Sequence, residues 1–291
     1  MIQAIQVLIL GLALGGVYAL MSSGMTLIFG VMRIVNLAHS AFIIMAAYIA
    51  FWLFNLLHVD PILSIVLTMP MMFVVGTLYY RILFASRADN PRFIDITVLI
   101  TFASSLVVEG LLAFFFTGIY RSTTPDYAKR SFNFGPFFVP ESQLFATVIS
   151  IVLILGLWLF LRYTRVGSAI RATMQNRNAA QVVGVNVTWV STLAFGIGLA
   201  MAGASGSLLS FIFTFFPAKH VAWIGMIMCL VVLGGMGSLM GALVSSFLLA
   251  AASAYVNFYI GSAWSPITFY LALFLILLFR PQGLFGKKVE V

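Results

Sequence analysis

The chain has 291 residues, of which 63% are hydrophobic and 8% charged, and its mean hydropathy is +1.13. A soluble domain is nearer one quarter charged, so the composition excludes a water-soluble enzyme and a disordered chain, and one cysteine excludes a disulfide scaffold. The net charge of +8 arises mostly from basic residues between apolar runs, which indicates an anionic lipid surface rather than nucleic acid. Since those runs are continuous rather than alternating, we predict an all-α membrane bundle and not a barrel.

Eight apolar runs are long enough to cross a bilayer, which takes about 20 residues in a helix. In chain order they are 4–31, 37–57, 61–86, 93–117, 143–161, 189–215, 221–256 and 262–279. The seventh run is interrupted by Gly234, Gly235, Gly237 and Gly241, so we predict two crossings there. The first run has a similar cluster of small residues over 15–24. If the first run also bends back, ten crossings result; otherwise the count is about nine, with the N-terminus outside.

The distribution of basic residues predicts the orientation of the bundle. The connector 162–188 carries Arg162, Arg165, Arg171 and Arg177 and no acidic residue, and the C-terminus is also basic. Cytoplasmic loops carry an excess of Lys and Arg, so we expect both segments on the cytoplasmic side. With two crossings in the seventh run, the chain crosses the membrane an even number of times between the connector and the C-terminus, as this orientation requires.

Two kinds of residue are candidates for a transport pathway. Glycine-broken segments in both halves of a membrane protein are typical of such a pathway, which points to Gly234, Gly235 and Gly237, although close helix packing explains the same glycines. Asn36 and His39 form a polar cluster between the first two runs, where they line a pathway or cap the next helix.

Glu109 is the one acidic residue deep inside an apolar run. A carboxylate in hydrocarbon costs several kcal/mol unless it is paired, hydrated or protonated, so Glu109 should face the protein interior. One hypothesis is a contact for the substrate or a proton site, as in a proton-coupled secondary transporter. The other is a structural hydrogen bond to a neighbouring helix or to Ser105.

The sequence contains few residues arranged for other chemistry. The chain lacks a GxxxxGK[ST] nucleotide loop, and its three histidines and Cys229 lie on separate segments, so no metal or cofactor site is predicted. The sequence Gly203-Ala204-Ser205-Gly206 matches the GxSG motif of intramembrane proteases. Its serine would need His220 as a base, and that histidine sits at a span end, so packing by small residues is the favoured interpretation.

The connector from Arg162 reads RYTRVGSAIRATMQNRNAAQVVGVNV, basic at first and then small and polar. A short helix pair with exposed small residues suits docking into a groove on a partner protein. The alternative is a surface loop held by lipid headgroups, which explains the charge but not the apolar residues. Those residues are Ala169, Ile170, Ala172, Met174, Ala179, Ala180, Val182 and Val183.

This connector resembles the cytoplasmic coupling loop of ABC importer permeases of the branched-chain amino-acid family. The matching positions are Gly167, Ala169, Ile170, Arg171, Ala172, Asn176, Asn178, Ala179, Ala180 and Gly184. The opening GLALGGVYALMSSGMTLIFGVMRIVNLAHSAF resembles the H-type rather than the M-type permease, and the stretches 232–242 and 280–287 are similar too. One departure is Ser40, where the family usually has glycine.

The resemblance implies one transmembrane permease domain over 1–291, in the multi-pass inner membrane of a bacterium, with the coupling loop at 162–188. The chain would pair with a second permease subunit, M-type or similar, above two ATP-binding subunits, while a periplasmic binding protein delivers the solute. The chain itself would hydrolyse nothing. The implied solutes are branched-chain amino acids or, as in close relatives, urea or a short amide.

Overall fold

The computed structural model describes residues 2–87 and 92–286, and this part of the chain is mainly α-helical. Its α-helices are α1 (Ile2–Met32), α2 (His39–Leu57), α3 (Ile65–Leu83), α4 (Phe93–Phe116), α5 (Glu141–Tyr163), α6 (Arg165–Gln175), α7 (Arg177–Val182), α8 (Val187–Ile212), α9 (His220–Gly234), α10 (Leu239–Tyr259) and α11 (Ser265–Phe279). An antiparallel hairpin, β1 (Ser131–Phe134) and β2 (Phe137–Pro140), lies between α4 and α5. The lysines of the C-terminal motif, from Lys287 on, lie outside the described residues.

The helices confirm the prediction of a polytopic all-α membrane protein. Eight helical segments in the described chain are long and apolar enough to cross a membrane, and α11 is a shorter apolar helix. The predicted interruption of the seventh run is confirmed, because α9 ends at Gly234 and α10 begins at Leu239. Gly235 and Gly237 have positive φ angles of 98° and 86° in that break, a conformation that glycine adopts at little cost.

The alternative in which the first run bends back is wrong. Helix α1 is unbroken for 31 residues, because its small residues serve close packing rather than a turn. A β-carbon built on Gly15 would lie 2.7 Å from the ring of Phe247 on α10, and one built on Gly16 would lie 2.7 Å from Thr147 on α5. The glycines therefore let α10 and α5 approach the backbone of α1.

Helix α8 forms the centre of the bundle, with nearly all of its span buried against α1, α2 and α3. A β-carbon on Gly203 would lie 2.7 Å from the carbonyl oxygen of Thr68 on α3, and one on Gly206 would contact the carbonyl of Ile43 on α2. The hydroxyl of Ser207 lies 2.8 Å from that of Thr68. The small residues of the GxSG match thus serve close packing.

Between α1 and α2 the chain turns back into the bundle. Residues 33–36 are non-helical, with a positive φ of 55° at Arg33, and α2 begins at His39, whose Nε2 lies 3.1 Å from the carbonyl oxygen of Met21. Met21 precedes the end of α1 by eleven residues (32 − 21), which is about 16 Å of helix. Non-helical backbone at this depth is tolerated because protein surrounds it.

The helices connect two different ends of the molecule. We call the end formed by α6, α7, residues 28–33, 234–241 and 280–286 the coupling end, and the end formed by residues 117–140 and 210–220 the outer end. Helix α5 runs from the hairpin to α6, and α9 runs from His220 at the outer end to Gly234 at the coupling end.

Candidate coupling surface and pathway residues

Polar residues of the connector 162–188 act as helix caps. The Thr164 hydroxyl accepts a hydrogen bond from the Gly167 amide at the start of α6, and the Asn176 side chain accepts one from Ala179 at the start of α7. Gly184 ends α7 with a φ of 87°. These residue types are the ones that begin and end helices, so the sequence itself specifies a connector of two short helices.

One face of α6 fixes the connector to the bundle. Gly167, Ile170 and Thr173 are buried, and α6 packs on α1, α5 and α8. A β-carbon on Gly167 would lie 2.6 Å from the α-carbon of Leu161, so α6 can cross the end of α5 this closely only with glycine there. Arg171 donates a hydrogen bond to the Leu161 carbonyl and another, 3.3 Å long, to the Ser168 hydroxyl. The guanidinium therefore braces the junction between α5 and α6.

The opposite face of the connector is exposed and partly apolar. Val182 is 87% exposed and Val183 77% exposed at the end of α7, whereas Ala180 is buried. Two adjacent apolar side chains exposed at the basic end of a membrane protein are a candidate contact surface for a partner. The sequence grouped these valines with the other apolar residues of the connector, and the structure distinguishes them by exposure.

The glycine-rich break between α9 and α10 lies at the coupling end. The methyl end of Met174 on α6 lies against Gly30 of α1, and Gly30 in turn lies against Gly237. The amides of Leu284 and Phe285 donate to the carbonyls of residues 233 and 234, so the C-terminal segment caps α9. Gly234 thus packs on the start of α10, Gly235 on the C-terminal segment and Gly237 on α1, and their role in a pathway stays a prediction.

Asn36 and His39 are both fully buried. The Asn36 side chain accepts a hydrogen bond from the Ala38 amide and so stabilises the turn before α2. His39 donates from Nε2 to Met21, because a carbonyl can only accept. The amide nitrogen of Asn36, Nδ1 of His39 and the hydroxyl of Ser40 have no hydrogen-bond partner among the described residues. A substrate or a second conformation of the bundle would satisfy these atoms.

Glu109 is paired across two helices. Its Oε2 lies 2.8 Å from Nε2 of His220 at the start of α9, and the Glu109 side chain is 27% exposed. This contact is the hydrogen bond to a neighbouring helix that the structural hypothesis expects for Glu109. The role of Glu109 in a pathway stays a prediction. The contact also separates His220 from the protease hypothesis, because the hydroxyl of Ser205 donates instead to the carbonyl of Met201.

Three further contacts close the outer end. Arg121 and Phe215 exchange two backbone hydrogen bonds of 2.9 Å each, and the hydroxyl of Thr123 lies 3.1 Å from that of Ser210. Tyr127 donates to the carboxylate of Asp60 over 3.2 Å. Burial and the neighbouring Asp60 carboxylate both raise the pKa of Tyr127, so this phenol stays protonated and remains a donor.

The comparisons with known proteins agree on one family. Residues 7–279 match the model for the permease component of the branched-chain amino acid transport system. The chain belongs to this family. A permease component is one part of a transport system, so the chain works with other subunits.

Curated relatives are similar over nearly their whole length. The chain is 26% identical to the high-affinity branched-chain amino acid transport permease LivH of Escherichia coli, over 95% of this chain and 94% of that protein. It is equally identical to BraD of Pseudomonas aeruginosa (97% and 96%) and to the probable LivH of Methanocaldococcus jannaschii (93% and 90%). These relatives confirm the predicted importer permease over a proton-coupled carrier built on Glu109.

A solved structure shares the fold. PsaBC from Streptococcus pneumoniae in complex with Fab superposes with a TM-score of 0.50 over 95% of this chain and 92% of that chain, at 12% identity. At this identity the likeness concerns the fold alone.

Proposed function

We propose that this chain pairs with a second permease subunit, M-type or similar, and is driven by two ATP-binding subunits that hydrolyse ATP below it. A periplasmic binding protein delivers the solute, which is a branched-chain amino acid or a related small amide or urea. The names of the curated relatives support the amino-acid assignment. The excess of arginine in 162–188 supports a cytoplasmic coupling end and C-terminus in a bacterial inner membrane.

One observation carries the proposal: the coupling end presents Val182 and Val183 on a connector that is fixed to the bundle. A flexible loop would absorb a push from a partner. Here the buried face of α6 and the brace from Arg171 to the end of α5 hold the connector in place. Movement of a docked ATP-binding subunit therefore reaches the transmembrane helices.

The contacts at the coupling end define how such a movement spreads. Met174 touches Gly30 of α1, and Gly237 packs on Gly30 beside the end of α9. A displacement of α6 thus acts on α1, α5 and α9 together. Closure of the ATP-binding subunits then favours one of two packings of the bundle, because a ligand shifts a conformational equilibrium by its differential contacts with the two states.

The solute pathway passes Asn36, His39 and Glu109 in this proposal. The first two residues carry buried polar atoms without partners, as expected of a path that is closed in this conformation. Glu109 retains partial exposure beside its histidine partner. Carboxylate, imidazole and amide groups are suited to a zwitterionic or amide solute, because they accept from its ammonium or NH groups and donate to its oxygen atoms.

Val182→Asp tests the docking surface. We expect the variant to fold and pair with the second permease, but to lose the ATP-binding subunits and at least about tenfold in ATP-driven uptake, since a hot-spot substitution costs 2 kcal/mol or more. The measurement combines affinity purification of the tagged chain with uptake into proteoliposomes.

Thr124→Asp is the matched control, because Thr124 is exposed at the outer end. It should retain the ATP-binding subunits. Full recovery of those subunits with Val182→Asp would contradict the proposed docking surface.

A further inference from the structure

The hairpin at the outer end carries exposed aromatic rings outside the apolar spans. Phe134 is 64% exposed, Phe138 47% and Phe132 37%, although a fold normally buries such side chains. The hairpin lies between two membrane spans, and β2 ends at Pro140 directly before α5.

The strand register places aromatic side chains on both faces of the hairpin, and the second face also carries Ser131 and Asn133. Phe134 pairs with Phe137 and Phe132 with Val139 on one face, while Phe138 pairs with Asn133 on the other. The first face is partly covered, because the Phe132 ring lies 6.5 Å from Phe145 of α5 and Val139 is buried. Phe134 at the tip and Phe138 on the second face remain uncovered. A two-stranded hairpin is marginally stable alone in water, so its surroundings matter.

Two hydrogen bonds fix the hairpin beside α1. The Gln6 side chain donates to the carbonyl of Phe138 over 2.6 Å and accepts from the Phe138 amide over 3.0 Å. Gln6 lies in the second turn of α1, among the exposed apolar side chains of Ile2, Ile5 and Leu8. The hairpin therefore continues the lipid-facing surface of a membrane helix.

The base of the hairpin carries charged residues of both signs, Asp126 and Glu141 beside Lys129 and Arg130. Lys129 and Arg130 precede β1 and are exposed, and the Arg130 carbonyl accepts from the Glu141 amide at the start of α5. Basic residues next to apolar rings are the arrangement of segments that lie in the interface of a bilayer, with the rings at the acyl boundary and the cations at the phosphates.

We propose that the hairpin 131–140 inserts Phe134 and Phe138 into the headgroup and acyl boundary of the outer leaflet, and that phospholipid is its partner. In this arrangement the hairpin anchors the segment 117–140 at a fixed depth. The inference rests on the membrane location of the chain and on the proposed cytoplasmic side of the coupling end, but not on how the coupling end is driven.

Spin labels test the proposal in the assembled importer in phospholipid nanodiscs. The single native cysteine is replaced (Cys229→Ala), and a nitroxide is attached at Phe134→Cys or, on the other face, at Phe138→Cys. Phe274→Cys on α11, where the side chain is 62% exposed in a span, gives the lipid reference. Asp126→Cys, exposed in the same loop, gives the water reference. Collisions with oxygen and with a water-soluble nickel chelate are compared.

We expect both hairpin labels to fall between the two references, with more oxygen collisions and fewer nickel collisions than the water reference, as a depth at the headgroup and acyl boundary requires. Nickel accessibility equal to that at Asp126→Cys would overturn the proposal. Low collision rates with both reagents would also overturn it, because a protein would then cover the labels. If the labels are covered before the binding protein is added, the hairpin contacts the second permease. If they become covered only when the binding protein is added, the hairpin is a docking site for that protein. Because two sites are labelled, one failed variant leaves the other to decide.

Discussion

The two ends of the molecule are held together in different ways. At the coupling end, Gly30, Gly237 and Met174 meet, and the C-terminal segment binds the carbonyls that end α9. At the outer end, the extended segments around Arg121 and Phe215 are joined by two backbone hydrogen bonds, and Thr123 meets Ser210. The first end is suited to transmit a displacement, because closely packed backbone leaves little room to yield. The second is suited to open, because its contacts can break one at a time.

We expect the largest loss of stability from a glycine substitution at the coupling end. Gly235→Ala combines a φ of 98° with a β-carbon 2.5 Å from the amide nitrogen of Gly286. We expect it to lower the free energy of unfolding by about 4 kcal/mol, as the sum of backbone strain and overpacking. The measurement is SDS or thermal unfolding of the detergent-purified chain.

Gly184→Ala is the matched control, because its φ is 87° but nothing lies within 4 Å of the added β-carbon. Strain alone should cost about 1 kcal/mol. Equal losses for the two variants would show that the contact with the C-terminal segment contributes nothing.

The Glu109 and His220 pair tests the border of the outer end, where α4 meets the start of α9. Glu109→Leu leaves the imidazole of His220 without its partner in a buried site, so we expect a loss of about 3 kcal/mol in the free energy of unfolding. His220→Leu should cost a similar amount, and the double variant should cost clearly less than the sum. Additive losses would mean that the two residues act independently.

The variant Glu109→Gln distinguishes a structural role of Glu109 from a role in transport. The amide can still hydrogen-bond to His220, so stability should change little. If the carboxylate lies on the pathway, the KM for uptake should rise, because a charge that contacts the solute is lost. Unchanged uptake kinetics would leave the residue with a structural role only.

Among these variants, Tyr127→Phe should cause the smallest loss in the free energy of unfolding. Loss of the hydrogen bond to Asp60 costs about 1 kcal/mol near neutral pH. The pKa of Tyr127 is raised above its usual value of 10.0, so its contribution is fully present below pH 10.0 and is lost above it, as the unfolded phenol ionises first. The difference in stability between wild type and Tyr127→Phe should therefore shrink above pH 10.0, and a difference that is constant with pH would contradict this.

The sequence predicted the features that depend on local chemistry. The helix caps Thr164 and Asn176 and the break at Gly234 are specified by residue type within a few positions. The sequence left open whether the first run bends back, because glycines that pack and glycines that turn look alike in a sequence. The contacts with α10 and α5 that distinguish them come from more than 100 residues away.

The contacts between distant segments were the hardest to predict. Glu109 and His220 are separated by 111 residues, and no periodicity links them. Arg171 was predicted as a coupling residue, and its hydrogen bond to the end of α5 became visible only once α6 was placed. Exposure singled out Val182 in the same way, since the sequence shows an apolar residue but not the side on which it projects.

The central claim is that an ATP-binding subunit docks on the exposed end of α7, and site-specific cross-linking tests it most directly. In a Cys229→Ala background, a photoreactive cross-linker is attached at Val182→Cys or, at the outer end, at Thr124→Cys in the assembled importer. We predict a cross-linked product with the ATP-binding subunit from Val182→Cys and none from Thr124→Cys. A product from Thr124→Cys alone would place the ATP-binding subunit at the opposite end and contradict the account.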